Sequence, residues 1–278
     1  MESTVTLHVA DGIATITFNN PKILNAIKKE DYNAFAKYLR EVDLRDDVLV
    51  TVWQATGKWF CAGTSVKKTL NEPSAANMSE NVDLRDYFAN VVAPVNTDVS
   101  HALYTHSKIL VAALNGPVMG DHLLRDTAFL GHFDFIYALP GVWLSVPFTF
   151  LGIIAEAGSS VSFRNRMGAS KANEVLIWGK KKEATELLEC GFVNQIFPEQ
   201  SVEAFQAAVR AQVLADMDGL DRSAVLGVKR LIRAGLSDQH NLDAVNLRES
   251  YAQAERMATG IPGERFGKIA RKELKHKL

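Results

Sequence analysis

Apolar and polar residues alternate along Val5 to Val9 and again along Ile13 to Phe18, with Asp11-Gly12 between them. A period of two puts successive side chains on opposite faces, so this pattern reads as a β-hairpin. Asn19-Asn20-Pro21 then breaks the second strand. From Lys29 to Val42 the period changes, and Tyr32, Phe35, Ala36, Leu39 and Val42 fall on one face of a predicted helix. Val48 to Trp53 and Ile109 to Leu114 are nearly continuous apolar runs rich in β-branched residues, as strands covered on both faces should be. Phe133 to Leu139 and Val142 to Val146 read as two more strands around Pro140-Gly141, and Phe192 to Phe197 as a last one. Val161 to Met167, Ser170 to Trp178 and Glu183 to Leu188 have helical patterning, while Asn71 to Val99 reads as a loop running into a helix.

No strand pattern follows Phe197. Helices are predicted instead at Val202 to Met217, Ser223 to Ala234, Leu242 to Met257 and Phe266 to Lys275. Strands alternating with helices predict an α/β core over residues 1–200, followed by a helical section over residues 201–278.

Composition narrows the function classes. A formal net charge of −1 gives no electrostatic case for nucleic acid or an anionic membrane surface. No apolar run approaches the roughly 20 residues that span a bilayer. Cys61 and Cys190 are isolated from each other and from any metal-ligand spacing, which suits a reducing compartment. Neither His106 nor His132 is spaced with carboxylates as a metal ligand would be, so both read as packing or surface histidines.

The chemistry concentrates between Ser145 and Ser160. An apolar run ends at Leu151-Gly152, and Glu156 follows as a lone acid among small residues, just before a helix. Such a carboxylate can be desolvated and work as a base. It equally suits the first turn of a helix, where negative charge complements the macrodipole.

The ordered stretches Asn20-Pro21-Lys22-Ile23-Leu24-Asn25-Ala26, Phe60-Cys61-Ala62-Gly63-Thr64-Ser65, His106-Ser107-Lys108, Asn115-Gly116-Pro117, Phe135-Ile136-Tyr137-Ala138 and Leu151-Gly152 resemble the crotonase (enoyl-CoA hydratase/isomerase) superfamily. Within it, Leu151 to Gly158, His106-Ser107-Lys108 and the tail His276-Lys277-Leu278 are most similar to fungal peroxisomal Δ3,Δ2-enoyl-CoA isomerases. The resemblance implies an α/β spiral of repeated ββα units, assembly into homotrimers or dimers of trimers through the C-terminal helices, and an acyl-CoA thioester substrate. It implies Glu156 as the base and the backbone N–H groups of Thr64 and Asp121 as the oxyanion hole. Asn96 falls where related isomerases carry a polar group beside the base, although an Asn there also suits a local turn. Ala62, Gly63, Thr64, Ser65, Val66 and Gly120 would line the CoA-ester site, with Lys22 and Leu24 near the nucleotide. Lys268, Arg271 and Lys272 suit CoA phosphates or a solvated helix face.

The implied reaction needs no cofactor beyond the coenzyme A of the substrate, and no metal. The tail His276-Lys277-Leu278 is a near variant of the Ser-Lys-Leu address, which implies a peroxisomal import receptor as partner and the peroxisomal matrix as location. A hydratase would need two acids, falling by resemblance near Leu124 and at Phe148, and neither position is acidic. One departure opposes the isomerase reading. Asp121-His122-Leu123-Leu124-Arg125-Asp126 lengthens this stretch by about four residues, roughly one helical turn. Asp121 would place negative charge where an enolate forms. The alternatives to an isomerase are a catalytically weak acyl-CoA-binding protein of this fold and, less in keeping with the residues, a hydratase.

Overall fold

The computed structural model describes residues 4–63, 83–120 and 125–275. Strands β1 (Val5–Ala10) and β2 (Ile13–Phe18) pair antiparallel. Asp11 and Gly12 turn the chain with positive φ at both positions, 53° and 77°, as a two-residue hairpin requires. Helix α1 (Lys29–Asp43) buries the predicted face of Tyr32, Phe35, Ala36, Leu39 and Val42. It leads to β3 (Val50–Ala55), which lies parallel to β2 with Ile13 opposite Val50.

Next comes a helical run: α2 (Leu84–Tyr87), an irregular stretch Phe88–Thr97, and α3 (Asp98–Tyr104). Pro94 sits inside the irregular stretch, and the Asp98 N–H reaches back five residues to Ala93 O. Proline has no N–H for the regular ladder, and a wider turn absorbs the missing bond.

The chain then alternates between two sheets. β4 (Ile109–Leu114) is followed by β5 (Val118–Met119), and α4 (Arg125–Phe129) then precedes β6 (Phe135–Ala138) and β7 (Trp143–Ser145). After α5 (Phe148–Leu151) and α6 (Ser159–Leu176) come β8 (Lys182–Glu183), α7 (Ala184–Glu189) and β9 (Gln195–Ile196). The larger sheet has the order β1-β2-β3-β4-β6-β9 and the smaller β5-β7-β8. The passes β4–β5 and β6–β7 each put one strand in each sheet ahead of a helix, the ββα unit of the spiral. Trp53 anchors the core, with the rings of Phe18, Phe35, Phe60 and Phe133 centred 4.7–5.5 Å from its own. Aromatic pairs at this spacing add to the burial they provide.

Helices α8 (Val202–Met217), α9 (Arg222–Gln239), α10 (Leu242–Ala258) and α11 (Ile261–Ala270) complete the described chain. Two sequence expectations are corrected here. The predicted helices Val161–Met167 and Ser170–Trp178 are one helix, α6, which ends at Leu176 and is broken only at Gly168 by a non-helical φ/ψ of 74°/163°. The last helix starts at Ile261, not Phe266, because Pro262 fits a first turn that has no use for its missing N–H.

Candidate active site

The loop between α5 and α6 carries the lone acid. Gly152 ends α5 in the left-handed region (φ 76°), and two further left-handed residues, Ala157 (φ 60°) and Gly158 (φ 75°), follow Glu156 directly. Position 158 needs glycine on two grounds, since a Cβ there would also stand 2.9 Å from His132 Cε1. The loop thereby turns Glu156 fully out of solvent. Asn96, equally buried, donates from Nδ2 to Glu156 Oε2 at 2.6 Å. A carboxylate oxygen can only accept, so the amide nitrogen must face it. Asn96 therefore sits in a helical stretch against the acid, and not in a loop turn of its own.

Helix α10 supports both partners. Asn246 Nδ2 donates to Thr97 O at 2.9 Å, and the Thr97 and Ser250 hydroxyls lie 2.9 Å apart. Gln253 Oε1 accepts from the Ile154 N–H at 3.3 Å, and Arg256 Nε donates to Gly152 O at 2.6 Å. These residues are invisible to a sequence reading because polar side chains on a helix normally mark its wet face. Their spacing of three, four and seven along α10 is that of a buried face, and this was the available signal.

A second cluster forms around Asn25. Its Oδ1 accepts from the Asn20 N–H (2.8 Å), and its Nδ2 donates to Thr56 O (2.7 Å) and Trp59 O (2.8 Å). The loop it organises docks on the segment after β3, where the Ala62 N–H meets Leu24 O at 3.0 Å and the Ile27 N–H meets Gly63 O at 2.8 Å. Lys22 and Leu24 are exposed on this loop beside Ala62 and Gly63. Cys61 bridges Val118 in parallel register, which carries Gly63 and Gly120 to the same level on adjacent segments. The Gly120 N–H is bonded to Ser145 O at 3.1 Å. Thr64, Ser65, Val66, Asp121 and Leu124 lie outside the described residues, as do His276, Lys277 and Leu278.

Other expected residues separate from this site. Phe148 opens α5 wholly inside the core. Lys268 pairs with Glu264 at 2.7 Å and Arg271 with Glu273 at 2.7 Å, so both belong to the solvated face of the last helix. His106 Nε2 lies 2.8 Å from Thr51 Oγ1, and burial pushes its pKa down to about 3. His132, expected to be a packing or surface residue, bonds the backbone of the Glu156 loop through Nε2, 2.7 Å from Ala157 O, and burial lowers its pKa to about 4.

The structure thus joins two strand layers, with Gly63 and Gly120 on adjacent segments, to a buried carboxylate held by an amide. The family model for enoyl-CoA hydratase/isomerase matches residues 8–262, and the chain belongs to that family. It is 35% identical to a Δ(3,5)-Δ(2,4)-dienoyl-CoA isomerase of Pyricularia oryzae, over the whole of both chains. It is 30% identical to the 3,2-trans-enoyl-CoA isomerase of Saccharomyces cerevisiae over 93% of this chain and 91% of that one. Among solved structures, an enoyl-CoA hydratase/isomerase from Pseudoalteromonas atlantica superposes with a TM-score of 0.80 at 25% identity, covering 99% of this chain and all of the other.

Proposed function

We propose that this protein is an enoyl-CoA isomerase that shifts the double bond of a 3-enoyl-CoA into conjugation, giving the trans-2-enoyl-CoA. The observation that carries this reading is the buried Glu156 carboxylate held by the Asn96 amide, with an apolar Phe148 where a hydratase would keep a second acid. Glu156 removes a proton from C2, and the electrons pass to the thioester oxygen as an enolate. The same carboxyl group returns the proton at C4 as the double bond settles between C2 and C3. One proton leaves and one returns, so the reaction balances without a metal or redox cofactor. Thr64 and Asp121 would offer the oxyanion N–H donors, and Ala62, Gly63, Ser65, Val66, Gly120, Lys22 and Leu24 the CoA-ester surface. A homotrimeric peroxisomal matrix enzyme, imported through His276-Lys277-Leu278, is the setting this reading implies.

The test is turnover of trans-3-hexenoyl-CoA, followed at the ultraviolet band of the conjugated thioester. Glu156→Gln should lower kcat at least about 10²-fold, the usual size of a lost general base, while CoA-ester binding persists. Undiminished turnover in that variant would sink the reading. A second reading is favoured by the full-length likeness to a dienoyl-CoA isomerase. There the proton would travel from C2 to C6, a span that one carboxylate covers less easily than C2 to C4. A 3,5-dienoyl-CoA turned over faster than the 3-enoyl ester would favour it.

A further inference from the structure

We infer that His132 and Glu249 are positioning residues for the isomerase reaction, gripping opposite ends of the single peptide unit that joins Ala157 to Gly158 beside the base. This rests on the role proposed above for Glu156. The carbonyl of that peptide, Ala157 O, accepts from His132 Nε2 at 2.7 Å, and its N–H, on Gly158, donates to Glu249 Oε2 at 2.6 Å. The two side chains come from distant parts of the chain: His132 from the turn after α4, and Glu249 from α10.

The grip falls where the backbone is least able to hold itself. Ala157 and Gly158 are both left-handed (φ 60° and 75°), a conformation that a Cβ-bearing residue such as Ala157 adopts only under strain. Such a conformation persists only where its surroundings over-determine it. A peptide unit between two left-handed residues can relax by rotating its plane, which would carry the carbonyl and the N–H to opposite sides. That rotation breaks both bonds at once, and it would displace Glu156, one residue upstream, from its place against Asn96.

Glu249 does more than hold one N–H. Its Oε1 also accepts from the Ser160 N–H at 3.2 Å and from the Ser160 hydroxyl. It therefore caps the first turn of α6 from another helix and complements that helix's dipole. On the other side, a ring nitrogen facing a carbonyl oxygen must carry the proton, which fixes His132 as the Nε2–H tautomer. The chain has thus placed an acceptor and a donor of matched sense around one strained peptide.

The experiment compares His132→Ala, His132→Gln, Glu249→Leu and the double variant His132→Ala/Glu249→Leu in the 3-hexenoyl-CoA assay, with thermal melting alongside. Each single loss should lower kcat by about 10- to 100-fold with KM within about twofold, the cost of misplacing a reacting group by about 1 Å. Gln keeps an N–H donor at similar reach, so His132→Gln should recover most of the loss. The two losses should also fail to add, since both act on one peptide. A kcat within twofold of wild type in both single variants would overturn the inference. So would a His132→Gln protein no better than His132→Ala, or losses that simply track melting temperature. Glu156→Gln, run in the same series, separates the two levels. Activity surviving there refutes the isomerase reading itself, whereas activity lost there but kept in the His132 and Glu249 variants refutes the positioning role alone.

Discussion

Glu156 is wholly out of water, and a buried carboxylate stays ionised only where donors replace the lost hydration. Asn96 supplies one such donor at 2.6 Å. Asn96→Asp would put a second carboxylate at that distance, and two like charges so close must share a proton. The expected result is a kcat at neutral pH lower by about tenfold or more, with the acid limb of the pH–rate profile moved upward. An unmoved limb would mean that Asn96 holds the loop and does not tune the base.

The histidines make a separate prediction about stability. Burial holds His106 at about 3 and His132 at about 4, both below the ordinary 6.5. The unfolded chain therefore binds protons that the folded one refuses as pH falls from about 6.5 to about 4. Melting temperature should decline across that window, and His132→Gln should flatten the decline. Of these residues, Glu156 was legible as a lone acid between an apolar run and a helix. The role of His132 was not, because a bond to a backbone carbonyl leaves no mark on sequence spacing.

Elements were legible in proportion to how much apolar surface they bury. The hairpin, α1, β3 and β4 stand out because each has an uninterrupted period or a continuous apolar run. β8, the pair Lys182–Glu183, joins its sheet through backbone bonds alone and has no hydrophobic pattern to betray it. Helix α10 misleads in the opposite direction, since Asn246, Glu249, Ser250 and Gln253 are polar and yet buried.

The Asn20–Ile27 loop falls between these cases: its motif is readable, but its function as a brace appears only in three dimensions. Asn25 bonds one backbone N–H of its own loop and two carbonyls of the segment after β3. Asn25→Ala would strand all three, for about 1–3 kcal/mol of lost stability. Because the same loop bonds Ala62 and Gly63, the KM for the CoA ester should rise more than kcat falls. A lower melting temperature with unchanged KM would confine Asn25 to folding.

At the scale of the whole molecule, α9 presents an apolar stripe that the other described residues leave exposed. Val228, Leu231 and Ile232 are 56%, 70% and 59% exposed. Val228 and Ile232 border a groove of about 1050 Å³ that runs from α9 to His132 and Phe133. Across this groove Lys229 reaches inward to Asp134 at 2.6 Å, so α9 is pinned to the sheet by a charge while its apolar residues face outward. Fully burying a large aliphatic side chain is worth roughly 1.5–3 kcal/mol, and three such residues on one stripe favour covering it. A second copy of the chain suits this surface, in keeping with the homotrimer proposed above.

Leu231→Glu would set an unpaired charge in that contact, and burying it uncompensated costs far more than the leucine contributes. Light scattering should then give 30.6 kDa, the mass of one chain, where the unsubstituted protein gives a multiple of it. His132 lines the same groove and grips the Glu156 loop, so separating the chains should also lower kcat. A Leu231→Glu protein that keeps its mass and its turnover would show that α9 lies outside the contact. A monomer with full turnover would show instead that the grip on the Ala157–Gly158 peptide is complete within one chain.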